Sequence, residues 1–508
     1  MTVAAARGDA ARFSCDLLAL PWIEGEEAGE GAIAAADRLT GGDVRRAVRL
    51  KGLGGRARES ALVFPRGGVR APRVLVLGLG RKKDLTAEGL RRQLGSALPA
   101  IRVKGVRTAA IVVTPALLDA LPAETIGASA AEALALADYR FTAYARTSPG
   151  APAARGLLRV TLIAAGAQAA AALGRGARLG SVIASAANLA RDLVNEPPSV
   201  LTPARLAAEA KALGRRGSGV RVKVLGKREL EKLGMGGILA VGSGGGVPPC
   251  LVVLRYGPRR GRPIVLVGKG VTFDSGGLQI KPAKSMENMK SDMAGAAAVL
   301  GVFEALPKLK PAIPVVGLVP SAENLVGEAA FKPRDVVRLH SGKTVEILHT
   351  DAEGRLLLAD ALSYARRENA RATIDLATLT GACVVALGDA VAGLFSSDDK
   401  LRRAIEAASA EAGEDVWALP LHADYRDRLK GDVSDLKNVG GSGGGAITAA
   451  LFLEEFAGDG PWAHLDIAGP AFLESARDYL GKGGSGFGVR TLLRYVLSQG
   501  GGGRRRRE

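Results

Sequence analysis

Five runs in the C-terminal three-fifths of the chain set apolar residues side by side with no regular polar alternation: CLVVLRY (250–256), PIVLVG (263–268), IPVVGLVP (313–320), TIDLATL (373–379) and AHLDIAG (463–469). A strand with one wet face alternates, because successive side chains point to opposite sides of the sheet. Unbroken runs require a sheet covered by helices on both faces. Between them lie helical patterns rich in alanine and leucine, such as AGAAAVLGVFEAL (294–306) and AITAALFLEEF (446–456). The expected fold class is α/β, with a mixed, mostly parallel central sheet.

A chain of 508 residues exceeds one ordinary core. The first ~165 residues carry their own strand and helix patterns, by periodicity. ALVFP (61–65), RVLVLGLG (73–80), RTAAIVVT (107–114) and LLRVTLIAAG (157–166) read as strands, and 85–98 and 129–141 as helices. A long helical stretch over 172–195 then ends at NEPPS, where proline disfavours helix in the residue before it. Thr202 and Pro203 restart a helix as N-cap and first helical residue. The expected organisation is an N-terminal α/β domain over 1–170, a connecting helix over 171–197, a larger α/β domain over 198–498 and a disordered basic tail over 499–508.

The net charge of +18 permits a polyanion partner, but the excess is scattered along the chain and no reading head for nucleic acid is visible. Cys15, Cys250 and Cys383 are far apart and lack metal spacing, which fits a reducing compartment. The N-terminus lacks the pattern of a secretory signal, and no run is long enough to span a bilayer. A cytoplasmic protein that does not enter membranes is expected.

In such sheets, sites form at the C-terminal ends of strands. One strand end runs into Lys269, Asp274 and Lys281 among glycines, without the G-x-x-x-x-G-K-[ST] of a phosphate loop. Asp292 stands at the entry to the alanine-rich helix, where a lone acid is commonly a helix-dipole residue. HTDAEGRLLLADAL (349–362) sets Asp351, Glu353 and Arg355 at alternate positions; Thr350 and Glu353 also have the spacing of a capping box. Singly, each has an ordinary structural explanation. Jointly, four converging carboxylates repel one another unless cations compensate them. A pair of divalent ions would do so, and paired ions are a recurrent hydrolytic arrangement.

VGKGVTFDSGGLQIKP, MKSDMAGAAAV and TDAEGRLLLADAL resemble the three signature segments of the leucyl (cytosol) aminopeptidase family, and flanking blocks at 190–203, 375–388 and 462–472 agree. The similarity covers 190–497; the first region is similar, less specifically, to the family's variable macro-like domain. The resemblance implies two divalent metal ions per subunit, Mn²⁺ or Zn²⁺, that release N-terminal residues from peptide substrates by hydroxide attack. Asp274 and Glu353 would bridge the ions, Lys269 and Asp292 complete one site, and Asp351 the other. Lys281 would contact the scissile carbonyl, and Arg355 would hold a bicarbonate through a planar, permanently charged fork. The first substrate side chain would contact Met289, Thr378, Leu379, Ala468 and Ala471, favouring Leu and other apolar residues. It also implies a homohexamer and, through relatives that bind DNA, an additional or alternative role as a DNA-binding regulator. Two positions depart from the family pattern: His349 replaces an Asn and is expected to neighbour the site, and Ser485 replaces a Thr.

Overall fold

The computed structural model describes residues 1–26, 31–145, 157–215 and 219–500. The chain divides into two compact units, one of Met1–Ser185 with Ala476–Gly481, the other of Ala186–Ser475 with the chain from Lys482 onward. The helix Ala167–Asn195 therefore contributes residues to both. Of the basic tail, Gln499 and Gly500 close the helix Val489–Gly500, and 501–508 lie outside the described residues.

The first unit holds a six-stranded sheet in the order Thr2–Arg7, Arg159–Ala164, Thr108–Val112, Leu17–Glu24, Val74–Arg81, Ser60–Val63. Every pair is parallel except the last. Two strands, Thr2–Arg7 and Leu17–Glu24, are additions to the sequence reading. Leu17–Glu24 contains Pro21, which normally argues against a central strand. It is tolerated because Thr108–Val112 pairs only with Leu17–Ala19, so Pro21 has a neighbour on one side alone.

All five apolar runs form strands of the nine-stranded sheet of the second unit. At its centre Trp462–Asp466, Ala372–Ala377, Ile264–Gly268 and Val315–Asn324 lie side by side and parallel. Cys250–Tyr256 and Ala392–Ser396 flank this block antiparallel, which makes the sheet mixed. Val265 and Val267 pack into one core with Leu356, Leu358, Leu362 and Phe452 from the helices Gly354–Ala365 and Gly445–Ala457. The alternate residues Ile264 and Leu266 are also fully buried. On their face the helix Ala294–Leu309 approaches closely, and Phe303 leaves no room for a side chain at Gly317, beside Leu266. Both faces are covered, as the runs demand. Among the described residues no helix is long and apolar enough to cross a membrane.

Candidate active site

The polar groups gather beyond the C-terminal ends of the parallel strands, arriving from strand ends, a turn and a loop. Lys269 follows Ile264–Gly268, and its amide donates to the carbonyl of Leu376 in the neighbouring strand (3.1 Å). The chain continues as Gly270–Asp274, which pairs with Val315–Asn324 and carries Asp274 at its end. Asp292 comes from the short turn Met289–Ser291 that precedes Ala294–Leu309. Asp351 and Glu353 lie in the loop that enters the helix Gly354–Ala365.

The structure brings these groups together. Oxygen atoms of Asp274, Asp351 and Glu353 lie within 4.8 Å of one another. Lys269 Nζ stands between Asp292 Oδ1 (2.7 Å) and Glu353 Oε1 (2.8 Å), and also donates to the carbonyl of Thr378 (3.0 Å). Lys281 Nζ stands between Asp274 Oδ2 (2.8 Å) and Asp351 Oδ1. Each ammonium thus separates two acids that would otherwise repel. All but Lys281 and Asp351 are buried.

The electrostatics follow from that burial. Loss of water pushes the carboxyls of Asp274 and Asp292 above the usual range, against the pull of the lysines. Burial alone would lower Lys269, but Asp292, Glu353 and Asp274 outweigh it and hold the ammonium well above its ordinary value. Lys281 is raised in the same way, chiefly by Asp274. The neutral lysine amine that a metal ligand needs is therefore not the form this charge balance favours.

The donor set fits divalent cations. Asp292 Oδ2 is buried with no hydrogen-bond partner, and Glu353 Oε1 has an ion pair but no hydrogen bond. Buried carboxylate oxygens without such partners are costly. Hard, oxygen-rich sites are what Mn²⁺ and similar ions take. Arg355, 7% exposed, donates to the carbonyl of Asn438 (2.8 Å) and has a buried Nε with no hydrogen-bond partner. Burial lowers its pKa to about 10, so it stays a cation at neutral pH and suits a small anion.

Orienting groups that the sequence did not single out hold these side chains. Asn324 Nδ2 donates to Asp274 Oδ1 (2.7 Å) and to the carbonyl of Thr350 (3.1 Å). Thr350, the candidate cap, spends its hydroxyl elsewhere: it donates to the carbonyl of Gly276 (2.7 Å) and accepts from the amide of Gln279 (3.0 Å). The capping box does not form, and Glu353 faces Lys269 instead. His349 Nδ1 accepts from the amide of Asp351 (3.2 Å), which makes it a neighbour of the cluster.

The residues expected to line the specificity pocket are partly brought together. Asp466 Oδ1 accepts from the amides of both Leu379 and Ala468 (3.2 Å each), tying their segments at adjacent strand ends. Thr378 donates its hydroxyl to Asp292 (2.7 Å) and so belongs as much to the acidic cluster. Met289 is half-buried, in the turn that ends at Asp292. Ala471 is 2% exposed, and its carbonyl accepts from Ser485, so it offers a substrate little surface.

A helix-covered α/β sheet whose strand ends gather four acids, two lysines and a buried arginine defines a metal-dependent hydrolase. The chain belongs to the cytosol aminopeptidase family, whose catalytic-domain model matches residues 188–493 and whose N-terminal-domain model matches 19–148. It is 42% identical over 504 residues to a protein of Solibacter usitatus named "Probable cytosol aminopeptidase", covering 98% of this chain and 99% of that one. A protein of the same name from Geobacter sulfurreducens is 43% identical over 498 residues, with 98% and 99% covered. Among solved structures, the bottromycin maturation enzyme BotP in complex with Mn is 37% identical, with a TM-score of 0.83 over 96% of this chain and 100% of that one. A mutant of tomato leucine aminopeptidase is 32% identical, with a TM-score of 0.85 over 98% and 96%. The chain is accordingly a metallo-aminopeptidase, a hydrolase of peptide substrates.

Proposed function

We propose that the enzyme works with two divalent ions, Mn²⁺ or Zn²⁺, and prefers substrates beginning with Leu or another apolar residue. The observation that carries this reading is the convergence of Asp274, Asp351 and Glu353 within 4.8 Å, beside Asp292 and the two lysines. These four acids and Lys269 would hold the ions, with Asp274 and Glu353 serving both. When bound, such a pair supplies an activated water and polarises the scissile carbonyl.

The remaining steps belong to the chain's own residues. Lys269 is held as an ammonium by Asp292 and Glu353, so it must surrender its proton before Nζ can serve as a ligand. Lys281, which the structure pairs with Asp274 and Asp351, would keep its charge and donate to the developing oxyanion. Arg355, with a buried Nε free of hydrogen bonds, would hold a bicarbonate, and such an anion would supply a proton relay at the reaction centre. Met289, Thr378, Leu379 and Ala468 would receive the first side chain; largely apolar walls of this kind discriminate by about 1–3 kcal/mol per methylene. The name of the tomato relative, leucine aminopeptidase, agrees with that preference.

The test is hydrolysis of Leu-p-nitroanilide with Mn²⁺, Zn²⁺ or Co²⁺ and its loss on chelation. Asp351→Ala and Glu353→Ala should abolish turnover while the fold survives. Turnover retained in both variants would make the ligand assignment wrong.

A further inference from the structure

We infer that Asn438 is a positioning residue for the metal carboxylates, an inference that rests on Asp351 and Glu353 being ligands. Asn438 is fully buried, one residue beyond the short strand Leu436–Lys437. That strand pairs in parallel with Thr344–Glu346 through Val345 and Glu346. The main-chain amide of Asn438 donates to the carbonyl of Glu346 (3.0 Å), which closes the ladder. Beyond that point the facing chain leaves the strand and becomes the loop that carries the acids.

There the side-chain amide takes over from the ladder. Its Oδ1 accepts from the amides of Leu348 (2.8 Å) and His349 (3.3 Å). Its Nδ2 donates to the carbonyls of His349 (2.6 Å) and Ala352 (3.4 Å). The main-chain carbonyl of Asn438 accepts from Arg355 (2.8 Å). One residue thus fixes the backbone on both sides of Asp351 and immediately before Glu353, and separately anchors the arginine.

The chemistry of the amide explains the residue type. The loop presents two N–H donors and two carbonyl acceptors that neither helix nor strand satisfies. An amide has both an acceptor and a donor end, whereas a carboxylate only accepts. Ordering a loop backbone costs about 1–2 kcal/mol per residue. Without Asn438 that cost falls on the ions, because the carboxylates no longer meet in advance. Outer partners of metal ligands typically set affinity by about 10- to 100-fold.

The test compares wild type, Asn438→Ala and Asn438→Asp by chelator-competition titration of the apo enzyme with Mn²⁺, alongside thermal melts and Leu-p-nitroanilide kinetics at saturating metal. Asn438→Asp keeps the shape and the two accepted bonds and loses the donor end. Both variants keep the main-chain carbonyl that Arg355 uses. We expect both to fold, to bind Mn²⁺ about 10- to 100-fold more weakly, and to lose kcat with KM little changed. A folded variant that binds Mn²⁺ within about twofold of wild type overturns the inference, whatever its melting temperature. Loss of folding in both variants also overturns it, by reducing Asn438 to a structural role. A wild-type enzyme that binds no Mn²⁺ would instead sink the metal reading itself.

Discussion

Gly354 shows how much of the cluster depends on a missing side chain. In the sequence it sits awkwardly in a first helical turn, where glycine weakens the helix. In the structure a Cβ at this position would lie 2.4 Å from Lys269 Cε and 2.6 Å from Nζ. The glycine is what lets the lysine pass between the helix start and Asp292. Gly354→Ala should therefore displace Lys269, at an overpacking cost of about 1–3 kcal/mol. Because Lys269 is a proposed ligand, its displacement should lower kcat/KM by about 10- to 100-fold, the usual effect of disturbing the surroundings of a metal ligand. An alanine variant with wild-type kinetics would mean that Lys269 is free to move. The four acids, two lysines and arginine of the cluster were legible because they stand in long motifs. Asn324, Asn438 and the Thr350 hydroxyl were not, because nothing local to an asparagine says which distant backbone it will meet.

At the scale of elements, the apolar runs identified the central strands because full burial on both faces leaves no other pattern. Leu17–Glu24 was harder, since its proline is admissible only through the short pairing of its neighbour. The helix Gly354–Ala365 is buried nearly all round, so it lacks an amphipathic stripe. It also carries Asp360, which accepts from the amides of Ile238 (2.9 Å) and His340 (2.8 Å). Burial pushes that carboxyl up to about 7 despite these donors. The native state therefore binds a proton between pH 4 and 7 that the unfolded chain has released. Stability from this group is full below about pH 4 and falls as pH rises through about 7, by up to about 4 kcal/mol. Denaturation curves for wild type and Asp360→Asn should differ in slope over that window, with the variant the flatter. Identical slopes would mean that Asp360 is ionised throughout.

For the whole molecule, the division at Ser185 and the return of Ala476–Gly481 to the first unit were not visible in the sequence. Six residues without a periodic pattern give no sign of the unit they will join. We propose that the chain assembles as a homohexamer, the state implied by the family resemblance. Sedimentation velocity should then give a single species of about six times the chain mass. A monomer at micromolar concentration would refute that assembly.

The acids gathered at the strand ends are proposed to form a two-metal centre. Equilibrium dialysis of the apo enzyme against Mn²⁺ tests it most directly. Two ions should bind per chain in the wild type, and Asp274→Ala, which removes the carboxylate proposed to serve both, should lose both at the same free concentration. Full Mn²⁺ occupancy in a folded Asp274→Ala enzyme, or none in the wild type, would contradict it.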